Sequence, residues 1–359
     1  MTARQGLIHQ ASRTYAGARY SIWRGHRQRS ASARVGRRSI QVPGSIIVAL
    51  VLMLSKVSAT EPSAHDLLRA GRVDDAIAAL AVRLRDFDHD AEAWNLDCRC
   101  HLAYGDYEAA VASCARAVDI GPRNSEYHAW LARAFGEAAE GANWLRALDY
   151  AAKSRHHFER AVELDSNNTG ARVDLAHFYL EAPSFVGGSR ESARQQAIAI
   201  AVSDPARAHT IFGRVAESSH DRDAAEREYR AATEAGPTIA DVWWELGSWE
   251  QRQGRLDESR SALQRLLDPT IVDPSGVRVD AARMLVDAHR ELPLAAELLR
   301  RYLAGQTVED SPAFVAHAVL GSVLAAQGDR EGAVHEYRVA HAMAAKYAPA
   351  VEALQRLAP

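Results

Sequence analysis

From about residue 63 onward, apolar residues recur every three or four positions and are interrupted by short polar stretches. That period puts them on one face of a helix, and no segment keeps the apolar–polar alternation of a half-buried strand. Gly recurs where the chain must reverse between helices, and Pro where a helix must stop. The pattern predicts an all-α chain of short helices joined by tight turns.

A longer period overlies the short one. Counted from Ala91, Trp94 falls at position 4, Cys98 at 8, Gly105 at 15, Ala110 at 20, Ala117 at 27 and Pro122 at 32. From Ala206 the same offsets hold His209, Phe212-Gly213, Ala225, Tyr229, Ala232 and Pro237. From Ala240 they hold Trp243, Leu246-Gly247, Gly254 and Leu263, and from Phe314 they hold Leu320-Gly321, Gly328, Ala333, Tyr337 and Ala340. Small residues at 8, 20 and 27 let two antiparallel helices approach, and large ones at 4, 7 and 24 fill the gaps between them. These residues resemble the tetratricopeptide repeat (TPR), a 34-residue helix–turn–helix unit. The resemblance implies an all-α, right-handed TPR solenoid of about eight antiparallel helix pairs with a C-terminal capping helix. The expected organisation is a leader over 1–59, the solenoid over 60–348 and the capping helix over 349–359. Two turns look enlarged, one over 137–144 and one over 181–189.

Charge divides the chain at the same boundary. Residues 1–59 hold ten of the 43 Lys and Arg and no acid, which leaves 33 basic against 46 acidic residues beyond, a net charge of −13. An acidic body argues against a nucleic-acid partner, which needs a basic face. The basic stretch is followed by an apolar run over 46–54 and by Val57-Ser58-Ala59, the order of a secretory signal with a small-residue cleavage site. Nine apolar residues are short for a membrane span, which needs roughly twenty. The expectation is export to the periplasm, with an uncleaved inner-membrane anchor at 46–54 as the alternative.

Little in the sequence suggests catalysis or a cofactor. The adjacent His156-His157 would point about 100° apart on a helix, and no His/Cys spacing matches a zinc site. Gly187-Gly188 lacks the Lys-Ser/Thr of a phosphate loop. Cys98 and Cys114, at positions 8 and 24, face each other across one helix pair; they either form a disulfide or pack as two small apolar residues.

Interaction chemistry is more evident. In a TPR solenoid the first helix of each pair lines the concave face. Position 9 there reads Arg99, Arg133, His177 and Arg214, with Asn95 one turn before Arg99 and Trp244 at the position equivalent to Asn95. A guanidinium column suits a carboxylate-bearing peptide, although Glu137, Glu181 and Glu217 stand three or four residues on and would make simple intrahelical pairs. The 181–189 turn, with Pro183, Phe185, Gly187 and Gly188, is similar to a segment of some exported bacterial TPR proteins; it is either a site or a buttress for the next repeat. The resemblance implies a non-enzymatic exported scaffold that binds a peptide or protein partner in its groove. The alternative is a periplasmic small-molecule carrier, similar to TPR components that accompany tripartite transporters, with the enlarged turns walling its pocket.

Overall fold

The computed structural model describes residues 62–357, so the leader, the apolar run over 46–54 and the cleavage site lie outside the described residues. Seventeen α-helices follow one another, with no strand among the described residues beyond two isolated bridges. They form eight pairs. The first four are α1 (Ala64–Arg69) with α2 (Val73–Asp86), α3 (Ala91–Tyr104) with α4 (Tyr107–Ile120), α5 (Ser125–Gly141) with α6 (Trp144–Leu164), and α7 (Thr169–Glu181) with α8 (Arg190–Ile200). The next four are α9 (Pro205–Ser218) with α10 (Arg222–Ala235), α11 (Ala240–Arg252) with α12 (Leu256–Gln264), α13 (Val277–Asp287) with α14 (Leu292–Leu303), and α15 (Ala313–Ala326) with α16 (Arg330–Met343). A last helix, α17 (Ala348–Leu357), packs on α16.

Local chemistry sets the boundaries. Asp90, Asp106, Asn124, Asn168, Asp204, Asp221 and Asp329 each accept a hydrogen bond from a backbone N–H in the first turn that follows, satisfying a donor the helix itself leaves open. Within a pair, position 8 meets position 24. A Cβ added to Gly213, Gly247 or Gly321 would lie 2.9 Å from Tyr229, 2.8 Å from Leu263 or 2.9 Å from Tyr337. In the second pair the same contact is made by Cys98 and Cys114, which form a disulfide with their Cα atoms 5.2 Å apart.

The enlarged turn expected over 137–144 is not a turn. α5 continues to Gly141 and α6 begins at Trp144, so only Ala142 and Asn143 connect them. Residues 137–140 read Glu-Ala-Ala-Glu, all good helix formers, and nothing stops the helix before Gly141. The insertion lengthens two helices and leaves Trp144 and Leu145 exposed at the end of the longer one.

The two ends of the solenoid meet. Leu67, Leu68 and Val73 belong to the same apolar core as Phe314, Val315 and Val323, while the middle pairs have smaller cores of their own. At Gly71 an added Cβ would lie 3.0 Å from Ala313, and the rings of Tyr104 and Phe314 stand 6.3 Å apart. Polar contacts fasten the seam. Asp74 accepts from the Tyr104 hydroxyl and from the backbone N–H of Ala345 at 2.8 Å, and Thr307 donates to the Arg69 carbonyl at 2.6 Å.

Candidate interaction site

Arg99, Arg133, His177 and Arg214 occupy equivalent places on α3, α5, α7 and α9. Each is the ninth residue of its repeat, and for the three arginines the residue met is the sixth of the next repeat. Arg133 donates to Asp174 from Nη2 at 2.7 Å and from Nε at 3.0 Å. Arg214 Nη1 stands 3.8 Å from Glu245, with Nη2 donating to Glu181 at 3.3 Å. Arg99 meets Trp130 there, its guanidinium carbon 4.9 Å from the ring centre. The ladder is therefore tied together between repeats. The intrahelical pair anticipated for Arg214 and Glu217 gives way to this arrangement, and Glu217 accepts from Arg252 at 2.8 Å and from Tyr229 at 3.0 Å.

Most of the ladder is enclosed. Arg133, His177, Asn95 and Trp244 are buried, and Asn95 Nδ2 and Trp244 Nε1 have no hydrogen-bond partner among the described residues. Burial pushes the Asp174 carboxyl up to about 6 against the pull of Arg133, and burial likewise lifts Glu181 to about 7 against Arg214. Burial alone would lower the Arg133 pKa, but Asp174, Asp310 and Glu126 more than offset it, so the guanidinium stays charged.

Arg99 stands at the rim of this interior, with a side chain 21% exposed. It borders a cleft of about 150 Å³ between the second and third pairs and the chain's far end. Trp130 forms its floor, with Arg99 and Arg133 both over the indole at 4.9 and 4.3 Å. Leu102, Tyr107, Val315 and Tyr347 supply the apolar wall, and Glu309 and Asp310 the acidic rim. Burial lowers the Arg99 pKa, and its Nε has no acceptor among the described residues. Glu309 pairs with Arg99 and, at 2.6 Å, with His65. The sequence reading missed Glu309 and Asp310 because the segment 305–312 has no repeat period. Its only signal was two adjacent acids of the charge Arg99 needs.

The 181–189 turn has one built shape. Pro183 leads into a short 3-10 turn, Ser184–Val186, and Gly187 follows at φ +105°. A Cβ on Gly188 would lie 1.7 Å from the Ala182 carbonyl oxygen, and one on Gly187 would lie 2.0 Å from Arg155. Val186 is buried and its carbonyl accepts from Arg155 on α6 at 3.3 Å, so the turn buttresses the preceding repeat rather than the next. Phe185 does not share in that packing and is 76% exposed.

Cys100 is buried, and burial pushes its thiol up to about 12, which makes it unreactive. His157 pairs not with His156 but with His128, Nδ1 to Nδ1 at 2.9 Å. His128 Nε2 lies 3.1 Å from the Pro122 carbonyl and must donate to it, so its Nδ1 accepts and His157 donates. Burial, then His128 and His156, pull the His157 pKa down to about 4, and burial lowers that of His128. Among the described residues no three His, Cys, Asp or Glu stand together as a metal site, and no helix is long and apolar enough to cross a membrane.

A family model described as tetratricopeptide repeat matches residues 63–125 and 212–274. Over those residues the chain is of the TPR helical-repeat type, a family for protein–protein interaction that is generally non-catalytic. No curated protein matches the chain. Among solved structures it is similar to yeast Tom70, at 14% identity over 79% of this chain and 58% of that one, with a TM-score of 0.47. It is also similar to a thermophilic TPR protein of Thermus thermophilus, at 20% identity over 56% of this chain and 100% of that one, TM-score 0.42. A third is YrrB, described as a TPR protein with an unusual peptide-binding site, at 21% identity over 50% of this chain and 86% of that one, TM-score 0.37.

Proposed function

We propose that the chain is an exported, non-catalytic scaffold that holds a peptide segment of a protein partner, and that the segment enters at the cleft over Trp130. The observation that carries this reading is the Arg99 guanidinium at the cleft rim, over the Trp130 indole and beside an apolar wall. Arginine offers a carboxylate two parallel hydrogen bonds, and stacking on an aromatic face holds its plane in place. Leu102 and Val315 flank that position, so the segment that fits carries acidic residues next to apolar ones. The Cys98–Cys114 bridge supports export, because disulfides persist in oxidising compartments.

The test is affinity capture with the full chain from an envelope extract of its own cells, followed by mass spectrometry of proteins and small molecules. Leu102→Glu, which places a competing carboxylate in the cleft, serves as the comparison. A protein held by the native chain and lost from Leu102→Glu supports the reading. A protein held equally by both places the contact elsewhere, and a metabolite captured without any protein favours a carrier.

A further inference from the structure

At the ninth-to-sixth contact, one of the three arginines meets no acid. Arg133 receives Asp174 and Arg214 receives Glu245, but the sixth residue facing Arg99 is Trp130. Its carboxylate comes instead from Glu309, some two hundred residues along the chain, in the loop 305–312 between α14 and α15. That loop is anchored at its base. The Tyr302 hydroxyl donates to the Ser311 carbonyl at 2.5 Å and accepts from the Val308 N–H at 2.9 Å, and Val308 and Ser311 are buried. Glu309 and Asp310 project from this base. Glu309 bridges His65 on α1 and Arg99 on α3, and Asp310 acts electrostatically on Arg99 and Arg133.

We infer that Glu309 is a cis ligand of Arg99: it occupies the place of a partner's carboxylate, and exchanging one carboxylate for the other unlatches the first helix pair from the last. This inference rests on the reading of the cleft as the partner's entry site. Three observations make the exchange feasible. Glu309 is 13% exposed at the cleft rim, so an incoming carboxylate reaches the same guanidinium. Among the described residues the buried Arg99 Nε–H has no acceptor, so a second oxygen finds a donor once the Glu309 side chain has turned away. The loop itself need not move, since Val308 and Ser311 hold it while only the Glu309 side chain turns away. The mechanical consequence falls on α1. It has six residues, two of them buried, and Glu309 and Thr307 hold it through His65 and the Arg69 carbonyl. So small an element opens at low free energy once such a contact is gone. A tethered carboxylate also acts at an effective concentration of the order of millimolar, so a lone acid in solution competes poorly. A partner must add contacts on the Leu102–Val315 wall, which makes the clasp a filter for acidic segments flanked by apolar residues.

The test uses the full chain and a fluorescein-labelled peptide of alternating glutamate and leucine, read by anisotropy, with the native protein beside Glu309→Gln. Removing the cis carboxylate is expected to tighten binding about tenfold, the worth of one charge-assisted contact. Saturating peptide is expected to speed amide exchange over 64–86 in the native chain, to the level Glu309→Gln shows without peptide. Measurable but equal affinities for the two chains overturn the clasp and leave the cleft reading standing. Absence of binding to both overturns the clasp and the cleft reading together. Glu309→Asp, which keeps the charge one methylene shorter, is expected to fall between the two and carries the comparison should Glu309→Gln fold poorly.

Discussion

Arg133 and Asp174 have side chains 6% and 1% exposed, so their energetics are those of a buried charge pair. Such a pair adds little net stability, but removing one member leaves the other uncompensated. Arg133→Ala is therefore expected to cost about 3–5 kcal/mol in urea unfolding, and Asp174→Asn in the same chain to recover part of that loss. Position 9 was legible in the sequence as a column of cations. Its partners were not, because the sixth residue of the following repeat comes into reach only once the superhelix sets how neighbouring pairs pack. The histidines tell the same story. The sequence places His156 and His157 together, whereas the fold packs a half-buried His157 against His128, on another helix. The folded-state pKa of His157, about 4, lies below its unfolded value of about 6.5. Its neutral form is thus the one folding favours. Stability is full above pH 6.5 and is lost as pH falls from there towards 4. Allowing for partial exposure, the loss is about 2 kcal/mol. Melting curves from pH 7 to 4 check this, and His157→Leu is expected to flatten the dependence.

Between helices of one pair, the sequence was an accurate guide, because the contact of position 8 with position 24 lies within a single repeat. Gly247 meets Leu263 at a distance that leaves no room for a methyl group, and Gly247→Ala is expected to cost about 1–3 kcal/mol by overpacking, measured by thermal melting. Cys98 and Cys114 occupy those same two places in the second pair, so the covalent bond replaces a packing contact. Thiol titration of the unfolded, unreduced chain is expected to count one thiol, Cys100, and Cys98→Ala with Cys114→Ala to cost about 2–4 kcal/mol. The guide failed at residues 137–144. A break in the 34-residue period is equally a longer turn or two longer helices, and local helix propensity through 137–140 decides for the latter. At 181–189 the break is a true turn, because Pro183 and the crowding at Gly188 exclude helix.

Across the whole molecule, the contacts that matter most were invisible to a repeat-by-repeat reading, because they join residues more than two hundred positions apart. A solenoid whose pairs touch only their neighbours unfolds piecemeal from its ends. Here the first pair has a neighbour on both sides, α3–α4 along the chain and, across the seam, the start of α15 and the turn after α16, so the ends stabilise each other. Asp74 is the polar centre of that seam, accepting from Tyr104 and from the Ala345 N–H. Removing it leaves both donors to find water or go unpaired, and each lost bond is worth about 1 kcal/mol, more when the donor stays buried. Asp74→Ala is therefore expected to raise amide exchange about ten- to a hundredfold over residues 64–86, and together with it over 313–326. Residues 205–235, whose apolar contacts lie outside the core that joins the two ends, should keep native rates. Faster exchange in 64–86 alone would mean that the first pair frays by itself and that the seam is no cooperative unit. Joint acceleration of the two ends would show that the chain behaves as a closed loop of repeats, with the cleft over Trp130 sitting where that loop opens.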